Sequence, residues 1–241
     1  MKTNRFVLAC AAAVCVAQVF ADWPKVVGAE QVGKRVVMLD PDVVAPANAR
    51  IVWEWKPDDD PNVKAAGIAW TFGNMSECKM SRDRTKILAC ASDGGFAIID
   101  VVTTNTVACG RVASSPYSNL HSISELPDGN VVLAGSEGQG LIVVDISANP
   151  CSANQPRYLF EYPGAHGVIW DWDRDCLWAT GQKKLSKFTY DSSTKTLTEV
   201  KYWTFSPSEN VNATGHDLVW KDAAHTRIVV TGGYGLMYQP L

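Results

Sequence analysis

His121-Ser122-Ile123-Ser124-Glu125-Leu126-Pro127-Asp128-Gly129-Asn130-Val131-Val132-Leu133-Ala134-Gly135 is the stretch that decides the fold. A polar anchor opens a short alternating run, Pro-Asp-Gly makes a tight turn, and an apolar run rich in β-branched residues follows, which is the pattern of two paired strands. The same arrangement recurs on both sides. Upstream stand Glu77-Cys78-Lys79-Met80-Ser81 and Lys86 to Ser92; downstream stand His166 to Asp171 with Cys176 to Gly181, then His216 to Lys221 with Arg227 to Gly233. The anchors Cys78, His121, His166 and His216 are 43, 45 and 50 residues apart. A period of about 40–50 residues built from short strands marks a β-propeller with one four-stranded blade per repeat.

The repeats divide into strands at 78–81, 86–91, 96–101 and 106–112, then 121–126, 130–135, 140–146 and 157–162, then 167–172, 176–180, 184–190 and 199–205. Val26 to Ala29, Arg35 to Asp40 and Ile51 to Trp55 read as the second to fourth strands of a blade whose innermost strand is missing. The fifth repeat supplies strands at 217–221, 227–231 and 235–238. The expectation is therefore an all-β, incomplete propeller of about four and a half blades over 22–241, a C-terminally truncated piece whose later blades and closing strand are absent, since open sheet edges are avoided.

Residues 1–21 read as a signal peptide: Lys2 and Arg5 precede an apolar run that ends at Val19-Phe20-Ala21. That run is too short to remain as a membrane span, so the protein is expected to be secreted, extracellular or periplasmic. Without Lys2 and Arg5, 20 basic side chains face 25 acidic ones, a net charge of −5. With no basic run, nucleic acid and membrane are excluded as expected partners. Five cysteines remain, Cys78, Cys90, Cys109, Cys151 and Cys176. An odd number leaves at least one unpaired or intermolecular, and Cys78 with Cys90 or Cys109 are pairs conceivable within one blade.

His121, His166 and His216 open the innermost strands of three repeats, so their rings are expected near the channel rim. Three imidazoles there suit a divalent metal ion with open positions, and Cys78 takes the corresponding place in the preceding repeat. The plainer reading is that a repeated residue solves a repeated packing problem. Trp70, Tyr117 and Tyr162 precede inner strands on that same rim, and flat aromatic faces suit sugar rings, with Glu125 to meet hydroxyls; Trp and Tyr also cap blade interfaces. Asp171-x-Asp173-x-Asp175 resembles the opening of a calcium loop but has Cys176 where glycine is required, so turn chemistry explains it.

The run at 121–132, Gly164-Ala165-His166-Gly167-Val168 before Trp170-Asp171, and Trp53-Glu54-Trp55 resemble an uncharacterised group of secreted propeller proteins, a domain-of-unknown-function family. The resemblance covers about 25 to the end and implies a propeller with no settled activity. Single strands are also similar to generic WD-type repeats, without the closing Trp-Asp. Some metal-dependent polysaccharide lyases of propeller fold carry histidines on the central face, a likeness of fold only. The functional expectation is an exported propeller that binds an extracellular glycan or small polar ligand on its central face, with a divalent metal and a metal-assisted lyase or hydrolase reaction as its extension. The competing expectation is a non-catalytic scaffold that docks a protein.

Overall fold

The computed structural model describes residues 25–44, 46, 50–112, 119–137, 140–205, 215–222, 224–232 and 235–240. The signal segment 1–21 and Tyr117 lie outside the described residues. The chain is an all-β propeller whose described sheets do not close into a ring. β1 (Val26–Glu30), β2 (Arg35–Leu39) and β3 (Ile51–Trp55) form the first sheet; β4 (Met75–Met80), β5 (Lys86–Ala91), β6 (Gly95–Asp100) and β7 (Thr106–Arg111) form the second. The third holds β8 (Leu120–Glu125), β9 (Val131–Gly135), β10 (Gly140–Val144) and, after the two-residue strand β11 (Cys151–Ser152), β12 (Arg157–Glu161). β13 (Gly167–Asp171), β14 (Cys176–Thr180), β15 (Lys184–Asp191) and β16 (Thr196–Thr204) make the fourth, and β17 (Gly215–Trp220), β18 (Arg227–Gly232) and β19 (Gly235–Pro240) the fifth. All pair antiparallel except β11, which lies parallel to β7 of the second sheet.

Why the middle strands read as unbroken apolar runs follows from the two-residue period of a strand between two neighbours. On β5, Ile87, Ala89 and Ala91 pack toward the first sheet while Leu88 and Cys90 pack toward the third. β9 divides likewise, with Val131 and Leu133 on one side and Val132 and Ala134 on the other. One strand thus feeds two cores.

The turns locate each strand within its blade. Asp100, Asp145 and Asp191 each accept a backbone N–H two residues on, at the turn that leads toward the outermost strand. Asp40 does the same for Asp42 between β2 and β3, so β1 to β3 correspond to strands two to four. The run Asp58-Asp59-Asp60-Pro61 reads by composition as a solvated loop, but Asp60 is buried. It caps the short helix α1 (Pro61–Ala65) and also accepts from the Trp55 indole and from the Thr106 N–H and hydroxyl. Burial would raise its carboxyl, but these hydrogen bonds outweigh burial and hold it below the usual range.

Innermost strands β4, β8 and β13 are fastened to one another by side chains. Glu77 accepts the Ile123 N–H at 2.9 Å, Ser122 Oγ accepts the Val168 N–H at 3.0 Å, and Ser124 Oγ accepts the Trp170 N–H at 3.0 Å. Each is an inner-edge donor that no further strand could pair. Lys79 Nζ crosses all three strands, donating to Ser122 Oγ at 2.8 Å and the Val168 carbonyl at 2.7 Å while pairing with Glu77 at 3.0 Å. The Ser122→Ala variant leaves the Val168 N–H and the Lys79 ammonium without this partner. Denaturant unfolding should show a loss of about 1–3 kcal/mol, whereas Val102→Ala in an exposed turn should stay within about 0.5 kcal/mol.

Candidate functional site

The central axis has two mouths with different chemistry. At the mouth where the inner strands begin, the three histidines converge. The ring centroids of His121 and His166 lie 4.4 Å apart with planes 28° from parallel; His166 and His216 are 4.6 Å apart, and His121 and His216 5.8 Å. A local irregularity aims two of them. β8 skips His121 and β17 skips His216 in pairing with the second strand, so each is the extra residue of a bulge, a device that redirects a side chain. The bulge residue of β4 is Ser76, and its hydroxyl meets Ser92 Oγ at 2.8 Å. Cys78 is therefore not the counterpart of the histidines. It pairs opposite Ala89, packs against the first core, and burial pushes its thiol up to about 12.

A metal ion takes the in-plane lone pair of an imidazole. His121 and His166 are stacked, which sends their lone pairs side by side rather than to one point, while His216 lies tilted to one and edge-on to the other. His166 Nδ1 is also committed, donating to the Gly164 carbonyl at 2.9 Å. Among the described residues no three His, Cys, Asp or Glu side chains are arranged to hold a metal ion, so the set His121, His166 and His216 does not fit the expected site as it stands. Gly167 lets the strands come this close. A Cβ there would stand 2.9 Å from the Leu218 nitrogen.

The opposite mouth, where the inner strands turn into the second strands, opens into a cavity of about 560 Å³. Its wall includes Arg82, Glu125, Trp170, Trp172, Trp220 and His225, with Lys79 at its inner end and Arg84 beside Arg82. The Arg82 guanidinium lies over the Trp172 ring, 5.0 Å from its centroid, and the Arg82 backbone N–H donates to the Glu125 carboxylate at 2.6 Å. The second, third and fourth sheets thus meet across this mouth. Trp220 stacks on His225 at 4.6 Å. His225 Nδ1 lies 3.1 Å from Asp173, and its carbonyl accepts from Arg174 at 3.1 Å. Among the described residues neither Arg82 nor Arg84 has a carboxylate within ion-pair distance, and Trp170 Nε1 in the wall is buried without a hydrogen-bond partner.

The structure separates the residues expected to share one rim. Tyr162 is 1% exposed, its ring in the core and its hydroxyl donating among the Ala179 and Lys184 carbonyls and Ser186 Oγ; it is a packing residue and presents no face to a ligand. Trp70 is 62% exposed, but Arg111 at the end of outer strand β7 covers it at 5.7 Å, beside the periphery of its sheet. Glu125 stands at the far end of β8 from His121, in the other mouth. Asp171 is fully engaged, accepting from the Asp173 and Arg174 N–H groups, the Arg174 guanidinium and the Trp178 indole. Trp172, Trp220 and Arg82 were not singled out from sequence as ligand contacts. Arg82 and Trp172 each directly precede a turn aspartate, Asp83 and Asp173, at corresponding places in the second and fourth repeats, and that recurrence is the signal in the sequence.

Residues 17–238 match the model of a family of unknown function, DUF6528. The chain belongs to that family. No curated protein matches this DUF6528 member. Among solved structures, a mitotic checkpoint complex matches with a TM-score of 0.62 and 10% identity, over 90% of this chain and 59% of that one. Dihydro-heme d1 dehydrogenase NirN in complex with DHE matches with a TM-score of 0.56 and 14% identity, over 89% and 41%. Hydrazine synthase of Kuenenia stuttgartiensis matches with a TM-score of 0.51 and 11% identity, over 68% and 45%. At such identities the likeness is one of fold. The DUF6528 chain spans between 41% and 59% of these proteins' length.

Burial, reinforced by the neighbouring His166 and His216, brings the His121 pKa down to about 4, and burial also lowers His166. An unfolded histidine titrates near 6.5, so the unfolded chain takes protons first as pH falls. Stability from this cluster should be complete above about pH 6.5 and lost as pH falls toward about 4. Glu77, raised chiefly by burial, slopes the opposite way; the difference between wild type and His121→Gln isolates the histidine. Thermal midpoints measured across this range should fall less steeply in the variant.

Proposed function

We propose that the protein binds a carbohydrate bearing a negative charge, such as a uronic or sulfated sugar, in the cavity at the turn-side mouth of its axis. The observation that carries this reading is the Arg82 guanidinium packed on the Trp172 face with no carboxylate partner among the described residues. A guanidinium already stacked on a ring is held in place before an anion arrives, so little freedom is lost on binding. Arg84 adds a second positive charge, while Lys79 is neutralised by Glu77. Trp172 and Trp220 supply flat faces for sugar rings, and Glu125 can accept from hydroxyls. A cavity of about 560 Å³ falls within the range of small-ligand sites. Export through the 1–21 segment would bring the pocket to extracellular glycans.

Binding is the function proposed, without a reaction. Among the described residues the histidine mouth offers no arrangement that fits a metal, so no metal-assisted elimination or hydrolysis is proposed there.

Titration calorimetry against matched neutral and acidic oligosaccharides tests the reading. Acidic members should bind, more weakly as salt rises, and Trp172→Ala should weaken binding about tenfold, the loss expected for an aromatic contact of about 1.4 kcal/mol. Trp70→Ala should leave affinity unchanged. No binding by any saccharide, or equal loss from both variants, would turn the search to a protein docked on the same face.

A further inference from the structure

The connection between β10 and β12 leaves its own sheet and covers the outer edge of the second one. There β11 adds in parallel to β7, with Cys151 directly opposite Cys109 and Ser152 opposite Gly110. The loop is firmly seated. The Cys109 N–H donates to the Pro150 carbonyl at 2.7 Å, and the buried Gln155 amide donates to the Cys109 carbonyl at 3.2 Å and the Asn149 carbonyl at 2.6 Å. Neighbouring strands run about 4.8 Å apart, inside the roughly 4.4–6.8 Å between α-carbons that a disulfide spans. Paired residues also send their side chains to the same face. Both sulfurs join the core between the first and second sheets, and the two thiols are hydrogen-bonded to each other.

We propose that Cys109 and Cys151 form an intramolecular disulfide that staples the loop of the third sheet to the edge of the second. The remaining cysteines are not so placed. Cys78 packs into the core between the first and second sheets and Cys90 into that between the second and third, so although they stand on adjacent strands they point apart. Cys176 belongs to the core between the fourth and fifth sheets.

The two thiols are unequal in a way that orders the chemistry. Cys151 is half-buried, and the hydrogen bond from Cys109 lowers its pKa; the same bond and burial raise that of Cys109. With a small disulfide such as oxidised glutathione as oxidant, the Cys151 thiolate attacks one of its sulfurs and expels one glutathione thiolate, leaving a mixed disulfide. Cys109 gives its proton to the solvent base and its sulfur attacks Cys151 Sγ, expelling the second glutathione. Two cysteine thiols lose two hydrogens, and one glutathione disulfide becomes two glutathione thiols.

The full chain, equilibrated with reduced and oxidised glutathione and quenched by alkylation in denaturant, should be peptide-mapped without reduction. The peptides of Cys109 and Cys151 should appear as one species, two hydrogens lighter than their sum, with Cys78, Cys90 and Cys176, and Cys10 and Cys15 where the 1–21 segment is retained, alkylated singly. Reductant should then lower the thermal midpoint of the wild-type protein and leave that of a Cys109→Ala/Cys151→Ala variant unmoved. Separate alkylation of both residues even in fully oxidised glutathione, or a crosslink to any other cysteine, would overturn the proposal; the peptide map needs no variant to fold.

Discussion

A sheet that ends on a central axis leaves a row of backbone N–H groups facing the next sheet, and everything else here depends on how that row is satisfied. The chain does it with short side chains at a fixed repeat distance. Glu77, Ser122 and Ser124 accept from Ile123, Val168 and Trp170, each 46 residues later. Serine suits the task because its oxygen lies close to the backbone, so two strands can stand side by side with no further layer between them. Lys79 then crosses the seam and brings a charge into it, which Glu77 balances. Burial raises the Glu77 carboxyl against the pull of Lys79, and Asp217 adds to that rise. The inner strands β4, β8 and β13 are thus joined along the axis by a polar spine.

That spine gives the two mouths their separate characters. Where strands enter, bulges at His121 and His216 bring their rings beside His166, and Gly167 allows β13 and β17 to approach closely. Burial and the neighbouring rings discourage a proton on His121, and burial discourages one on His166. Where strands leave, turn aspartates do the structural work. Asp83 is held well below the usual carboxylate range by Ser81 and Thr85, and Asp171 is buried under its four donors. With those turns fixed from within, Arg82 and Trp172 are free to face the cavity. One mouth is lined by its own clustered rings, and the other opens into a cavity with two arginines in its wall.

Much of the architecture was legible because strands between two cores leave an unmistakable mark: Lys86–Ala91 and Val131–Gly135 are apolar on both faces, and the Asp-x turns after Asp100 and Asp191 recur in register. The site was less legible. A bulge adds one residue without disturbing the apolar pattern, so Cys78 looked equivalent to His121 where Ser76 is. Tyr162 before a Pro-Gly turn reads as an exposed ring, yet its hydroxyl finds three partners that only the folded fourth sheet supplies. Asp60 looked solvated for the same reason, its partners Trp55 and Thr106 coming from two sheets. β11 is two residues long and pairs across sheets, beyond any local pattern.

The most direct measurement of where a ligand sits is a heteronuclear NMR titration with an acidic oligosaccharide, following tryptophan indole N–H and histidine ring signals together. If the turn-side cavity is the binding site, the Trp172 and Trp220 indoles shift while the rings of His121, His166 and His216 stay in place. Shifts confined to the three histidines, with those indoles silent, would contradict it and move the function to the other end of the axis.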